Sequence, residues 1–241
     1  VVSAERVKRA LVLGASSDIG VAVCQRFLDA GHQVTGHFHG NPSAFEPLTS
    51  SSGCFDTMHL DLADLDVVSK AARSQQVTNA DVVIFLAAVA SPTTLEAIDP
   101  AELVRAMSVG ALANYLIMGA AGPAMASRGW GRIVIGSSIG VKFGGGTDSF
   151  NYALANHASE FIPRTARDWA ASGVLTNVVR IGVTDTKAHD AFPGRDLASR
   201  AELIPMKRAA TTAEIADYLF WIGSESNTYL TGQVNAISGG E

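Results

Sequence analysis

The chain has 241 residues, 47% of them hydrophobic and only 17% charged, enough for one large domain and too apolar for a disordered or low-complexity chain. Its formal net charge of -5 gives no basic footprint for nucleic acid, so small molecules and other protein subunits are the expected partners. Its two cysteines, Cys24 and Cys54, lack CxxC spacing and offer neither a disulfide framework nor a zinc site, which fits a reducing cytoplasm.

Short β-branched runs alternate with helical patterns along the whole chain. The first predicted strand is Arg9–Leu13, whose apolar stretch is too short for a signal-peptide core or a membrane span. Gly14-Ala15-Ser16-Ser17-Asp18-Ile19-Gly20 follows, then a helix over residues 19–30. Gly14 permits a tight turn, Gly20 lets the helix close on the strand, and the helix N-terminus around Ser16 to Ile19 offers unpaired N–H groups to a pyrophosphate. The second strand is Gln33–Phe38; His37 and His39 share a face, and without an evident third ligand a structural role is expected rather than a metal site. A third strand over 57–60 leads into Asp61 and Leu62, and a helix is predicted over 64–74. The fourth strand, 82–86, is apolar throughout, as strands buried on both faces are.

A helix over 100–126 follows, with no Asp, Glu, Lys or Arg between Arg105 and Arg128, long enough to cross a bilayer. Its Asn114, Tyr115, Pro123 and many small residues suit instead a helix packed inside a protein or against a symmetry mate, so no membrane is expected. Then come a strand at 132–136, a helix at 151–171, a strand at 176–180, a helix at 212–223 and the strand Val234–Ile237. No linker or internal repeat divides the chain. The expected fold is one α/β domain over residues 1–241, a doubly wound seven-stranded parallel sheet flanked by helices, with its ligand groove beyond the carboxyl ends of the strands.

The turn after the first strand resembles the TGxxxGxG of the short-chain dehydrogenases/reductases, and the resemblance extends through essentially the whole chain, with Thr231-Gly232-Gln233 and Ser238-Gly239-Gly240 resembling the bacterial 3-oxoacyl-carrier-protein reductase branch. It implies a Rossmann fold, a nicotinamide cofactor, a carbonyl substrate and a homodimer or homotetramer. Leu13 replaces the family's Thr, and Asp18 replaces the middle Gly, placing a carboxylate near the phosphates. Phe38 and His39 lie where an acidic residue takes the ribose hydroxyls of NAD. Its absence favours NADP, yet no Arg or Lys in the turn offers a partner for the 2′-phosphate, so both nucleotides stay open. Asp61, followed by Leu62, matches the family's adenine-binding Asp, with turn capping as its other possible role. Ala87 and Ala88 replace part of the usual Asn-Asn-Ala-Gly, and Gly182, Val183 and Thr186 match the segment that meets the carboxamide.

Gly131-Arg132-Ile133-Val134-Ile135-Gly136-Ser137-Ser138 resembles the family strand that ends in the catalytic Ser; counting selects Ser138, with Ser137 as the alternative. Tyr152 matches the proton donor. The assisting Lys four residues later is Asn156, and the family's catalytic Asn is Ser108. An unperturbed tyrosine has a pKa of about 10, which the Lys normally lowers; Asn156 brings no charge, and Lys142 and His157 are the nearest cations by sequence. Residues 187–205 resemble the variable substrate lid, with Phe192, Leu197 and Leu203 as an apolar cover. Gly129 and Ser172 stand where carrier-protein reductases place docking arginines, with Arg128 and Arg132 close by.

Two readings result. In the first, the chain reduces a ketone or 3-oxoacyl thioester with NADPH or NADH, or runs the reverse oxidation, with Ser138 polarising the carbonyl and Tyr152 donating the proton. In the second, it is an inactive subunit of the same fold, with or without a cofactor, that pairs with an active homologue or holds an acyl ligand.

Overall fold

A computed structural model describes residues 7–49, 53–187 and 196–241. The seven predicted strands are all present: β1 (Arg9–Leu13), β2 (Gln33–Phe38), β3 (Phe55–His59), β4 (Val82–Phe85), β5 (Gly131–Ser138), β6 (Val174–Ile181) and β7 (Val234–Ile237). They form one sheet in the order β3-β2-β1-β4-β5-β6-β7, and every pairing is parallel. The helices are α1 (Asp18–Asp29), α2 (Glu46–Thr49), α3 (Leu65–Ala71), α4 (Gln75–Thr78), α5 (Pro100–Met107), α6 (Ala113–Ser127), α7 (Phe150–Ser159), α8 (Arg164–Asp168), α9 (Leu197–Leu203) and α10 (Thr212–Ile222).

Side chains alternate across each strand, which explains the unbroken apolar runs. Leu11, Leu13, Phe85, Ile133 and Ile135 join Val68, Ile117 and Met125 in the core under α3 and α6. Val12, Ile84, Val134 and Val179 join Val23, Phe27, Leu219 and Ile222 under α1 and α10. Cys24 is a free thiol, and burial pushes its pKa far up, leaving it inert.

Two predicted helices differ from expectation. The stretch predicted at 100–126 is interrupted by a π-helical turn, Ser108–Leu112, in which the Ser108 carbonyl accepts the N–H of Ala113, five residues on. Gly110 makes the turn compatible with its neighbour, since a Cβ there would lie 3.0 Å from the Ala155 Cβ of α7. Pro100–Ser127 has the length and composition to cross a membrane, but Ala113, Ile117, Met118, Ala121 and Met125 are buried in the core beneath it. The helix predicted at 151–171 ends at Ser159, because Pro163 has no N–H to continue it and restricts Ile162 before it. The Tyr115 hydroxyl donates to the exposed carbonyls of Ala158 (2.6 Å) and Phe161 (2.9 Å) at that break.

Of the predicted lid, residues 188–195, including Phe192, lie outside the described residues. Leu203 on α9 stands exposed, and Leu197 is partly buried.

Candidate active site

The turn between β1 and α1 is shaped by backbone requirements. Gly14 has φ +79°, and a Cβ there would sit 2.5 Å from the backbone nitrogen of Ala87, so only glycine allows the turn to lie against the chain leaving β4. Ser17 caps α1: its hydroxyl donates to the Gly14 carbonyl (2.8 Å) and accepts from the Gly20 N–H (3.1 Å). A Cβ at Gly20 would meet the Gly14 carbonyl oxygen at 2.4 Å. Ser16, Asp18 and Ile19 complete the turn, with Ala87 and Ala88 opposite. The carboxylate of Asp18 accepts the backbone N–H of Lys187 (2.8 Å), tying this turn to the loop that follows β6. That loop carries Gly182, Val183 and Thr186, and a Cβ at Gly182 would lie 2.5 Å from Ser238 Cα. A glycine turn, a capped helix start and a close-packed second glycine fit a dinucleotide's pyrophosphate; Asp18 is the one group that opposes it.

His37 holds the turn from behind. It is buried, its Nδ1 accepts the N–H of Gly14 (3.0 Å), and its Nε2 therefore carries the hydrogen and donates to the Leu60 carbonyl (2.9 Å). Burial lowers its pKa, which keeps it neutral and keeps the acceptor for Gly14. His37 thus ties the turn to the end of β3, and among the described residues no group of three or more His, Cys, Asp or Glu side chains is placed to hold a metal. Phe38 stacks edge-on against Phe45, His39 and Asp61 meet at 3.5 Å, and Asp61 also caps its own turn by accepting the Ala63 N–H (2.9 Å). The side chain of Leu62 is in the core, leaving only its backbone for any ligand.

At the ends of β5 and β6 the structure separates the two serines. Ser138 accepts the Gly140 N–H (3.1 Å) and lies beside the Tyr152 hydroxyl, whereas Ser137 points to the opposite side and donates to Glu160 (2.7 Å). Tyr152 is raised above the ordinary tyrosine range by burial, only partly offset by Ser138 and Asn156; among the described residues no cation acts on it. Asn156 is buried and donates to the Tyr152 carbonyl one turn back (2.9 Å). Lys142 is exposed and sits over the ring of Phe143, and His157 is exposed on the outer face of α7, so neither stands in for the missing lysine. Ser108 is buried in the π-helical turn.

Sequence reasoning missed the polar group beneath this site. Glu160, the residue that closes α7, accepts both the Nε (2.8 Å) and Nη2 (2.7 Å) of Arg180. Ser137 and Arg180 are register partners on β5 and β6, so the ion pair clamps two strand ends to the helix that carries Tyr152. A detectable signal was present: one charge of each sign inside otherwise apolar segments, Val178-Val179-Arg180-Ile181 and the end of α7.

The two nearby arginines do not compensate for Gly129 and Ser172. Arg132 is buried, stacks on Trp130, and donates to the carbonyls of Gly131, Gly173, Ser224 and Asn227; desolvation pushes its pKa down to about 10. Arg128 donates to the carbonyls of Thr78 and Ala80 and lies beside Asp81. Both are spent on the end of the sheet opposite Ser138 and Tyr152.

Known proteins match this arrangement over nearly the whole chain. The family model described as enoyl-(acyl carrier protein) reductase matches residues 14–241. An uncharacterized oxidoreductase, YmfI, of Bacillus subtilis is 27% identical over 97% of this chain and 98% of its own length. The 3-oxoacyl-[acyl-carrier-protein] reductase MabA of Mycobacterium avium is 26% identical over 95% of this chain and 88% of its own. Among solved structures, a 3-oxoacyl (acyl-carrier-protein) reductase from Agrobacterium tumefaciens with NADP bound superposes with a TM-score of 0.88 at 25% identity, covering 98% of this chain and 95% of that one.

Proposed function

Because the chain belongs to the short-chain dehydrogenase/reductase family of NAD(P)-dependent oxidoreductases, we propose that it reduces a carbonyl to an alcohol with Tyr152 as the proton donor and without the family's lysine. The observation that carries this reading is the Tyr152 hydroxyl lying beside Ser138 with its pKa raised by burial and, among the described residues, no cation acting on it.

The turn from Gly14 to Gly20 and the loop from Gly182 to Thr186 would hold the dinucleotide, which when bound supplies a hydride to the carbonyl carbon. Ser138 donates a hydrogen bond to the carbonyl oxygen and Tyr152 gives that oxygen its proton. A raised pKa keeps Tyr152 protonated through neutral pH, the form that reduction needs. Oxidation needs the tyrosinate, which the absent lysine would have stabilised. Asn156 orients the first turns of α7 through the Tyr152 carbonyl and leaves a neutral amide where the family has an ammonium.

With Arg128 and Arg132 engaged elsewhere, the reading favours a free ketone or a small acyl thioester over a substrate delivered on an acidic carrier protein. Val104, Leu112, Leu116, Leu154 and Phe161 stand exposed on the α5 to α7 side and supply the surface for the proposed association with another subunit.

A second reading, an inactive subunit paired with an active homologue, is favoured by one contact: the Asp18 carboxylate spans the groove to Lys187. Screening NADPH oxidation against short ketones and 3-oxoacyl thioesters separates the two. The reductase reading expects turnover that Tyr152→Phe lowers by at least about 100-fold; turnover unchanged in that variant, or none with any carbonyl, contradicts it.

A further inference from the structure

The polar cluster under α7 joins the strand that carries Ser138 to the helix that carries Tyr152. Ser137 is buried and adjoins Ser138 on β5; its hydroxyl donates to Glu160 Oε1 (2.7 Å). The same oxygen accepts Arg180 Nε (2.8 Å), and Oε2 accepts Arg180 Nη2 (2.7 Å). The Glu160 side chain is 8% exposed, so these bonds are shielded from water and hold a single geometry. The other anchors of α7 are few. Its N-terminus is tied by the backbone bond from Phe150 N–H to the Thr93 carbonyl, Ser149 gives it no side-chain cap, and Gly144 and Gly145, both at positive φ, lead into it. Ala155 meets Gly110 across a contact of small residues, and Tyr115 holds the carbonyls of Ala158 and Phe161. The Asn156 amide donates within α7, to the Tyr152 carbonyl.

We propose that Glu160 is a positioning residue for the reduction: through Ser137 and Arg180 it fixes where the Tyr152 hydroxyl stands relative to Ser138. The proposal rests on the reading of Ser138 and Tyr152 as the pair that acts on a carbonyl. Glu160 follows Tyr152 by eight residues, about 12 Å along a helix, and a helix is stiff enough to pass an axial shift from one end to the other. On the strand side the coupling is shorter still, since Ser137 and Ser138 are consecutive. Misplacing reacting groups by about 1 Å can cost about 100-fold in rate. The carboxylate bonds to Ser137 and Arg180, and its charge is matched by the guanidinium, so the cluster sets placement and leaves the acidity of Tyr152 to its burial.

The test measures kcat and KM of the full chain with ethyl acetoacetate and with acetoacetyl-CoA, using NADPH and NADH, together with the pH profile of kcat and Tm. Ser137→Ala removes the bond to β5 and leaves the ion pair. It is expected to lower kcat about tenfold, with both KM values within about twofold and the pH profile unchanged in shape, while Tm falls by about 2–4 °C. Glu160→Leu combined with Arg180→Met keeps Ser137 but gives it no acceptor. This double variant is expected to recover Tm relative to Glu160→Gln while kcat stays about tenfold down. A kcat in Ser137→Ala within about twofold of native, or a kcat in the double variant that returns in step with Tm, overturns the positioning role and leaves the reductase reading standing. A rise in KM at constant kcat, or a displaced pH profile, overturns it as well, by assigning the cluster to substrate binding or to the proton. No reduction of either probe by the native chain, or turnover that survives Tyr152→Phe, overturns the reductase reading and the positioning role with it.

Discussion

The half of the groove built by β1 to β3 and the half built by β5, β6 and α7 have kept different things. In the first, the shape is intact: Gly14 at positive φ against Ala87, Ser17 capping α1, and Gly20 closed on the turn. In the second, the hydroxyl pair of Ser138 and Tyr152 is intact but the cation is gone, and a partly buried ion pair lies below it. Backbone geometry tolerates no substitution at Gly14, whereas a side-chain charge can be lost, or relocated with a partner, without disturbing the fold. The comparison teaches that the binding shape and the proton chemistry of this fold are separable.

The clamp beneath α7 offers the largest effect by which to break that comparison. Glu160→Gln leaves the Arg180 guanidinium, whose side chain is 26% exposed, without its counter-ion. A loss of about 2 kcal/mol is expected, seen as a fall in Tm of roughly 4–8 °C by thermal denaturation. Combining Glu160→Leu with Arg180→Met should return part of it, because an apolar pair replaces a partly buried ionic one; a Tm as low as that of the single variant would show that the pair does more than satisfy itself.

Restoring the charge is the next test. Asn156→Lys should lower the pKa of Tyr152 and bring the levelling of the alcohol-oxidation profile down by at least about one pH unit, measured as kcat/KM against pH. A profile that keeps the native shape would mean that the lysine acts here through cofactor binding instead. The smallest effect concerns the first half of the groove. Asp18→Gly removes the contact with Lys187 and the carboxylate near the phosphates, and should tighten NADPH about fivefold, roughly 1 kcal/mol. Weaker binding would make Asp18 a contributor to the cradle.

How much of this the sequence disclosed follows from the range of the interactions. β1, β2 and β7 match their predicted bounds because each is a short apolar or β-branched run ended by a turn residue, a purely local signal. Counting along the motif from Gly131 selects Ser138, and strand alternation is why Ser137 and Ser138 meet different partners. The end of α7 at Ser159 was harder to see, since the pattern of small residues continues past it and only Pro163 marks the break. The Glu160 and Arg180 pair, the His37 bond to Gly14 and the Asp18 bond to Lys187 join residues 20, 23 and 169 positions apart, and periodicity carries no information at that range. The engagement of Arg128 and Arg132 was illegible for the same reason: the carbonyls they satisfy come from other elements.

The central claim is that Tyr152 works as a protonated acid with no cation beside it. The direct measurement is kcat/KM for reduction and for oxidation of the same carbonyl and alcohol pair from about pH 6 to 10. Reduction needs the protonated tyrosine, which is the form present below a raised pKa, so its profile should stay flat to about pH 10. Oxidation needs the tyrosinate and should climb about tenfold per pH unit across that range. An oxidation profile that levels off near neutral pH would place the tyrosine pKa there and contradict the claim, showing that some group supplies the missing charge.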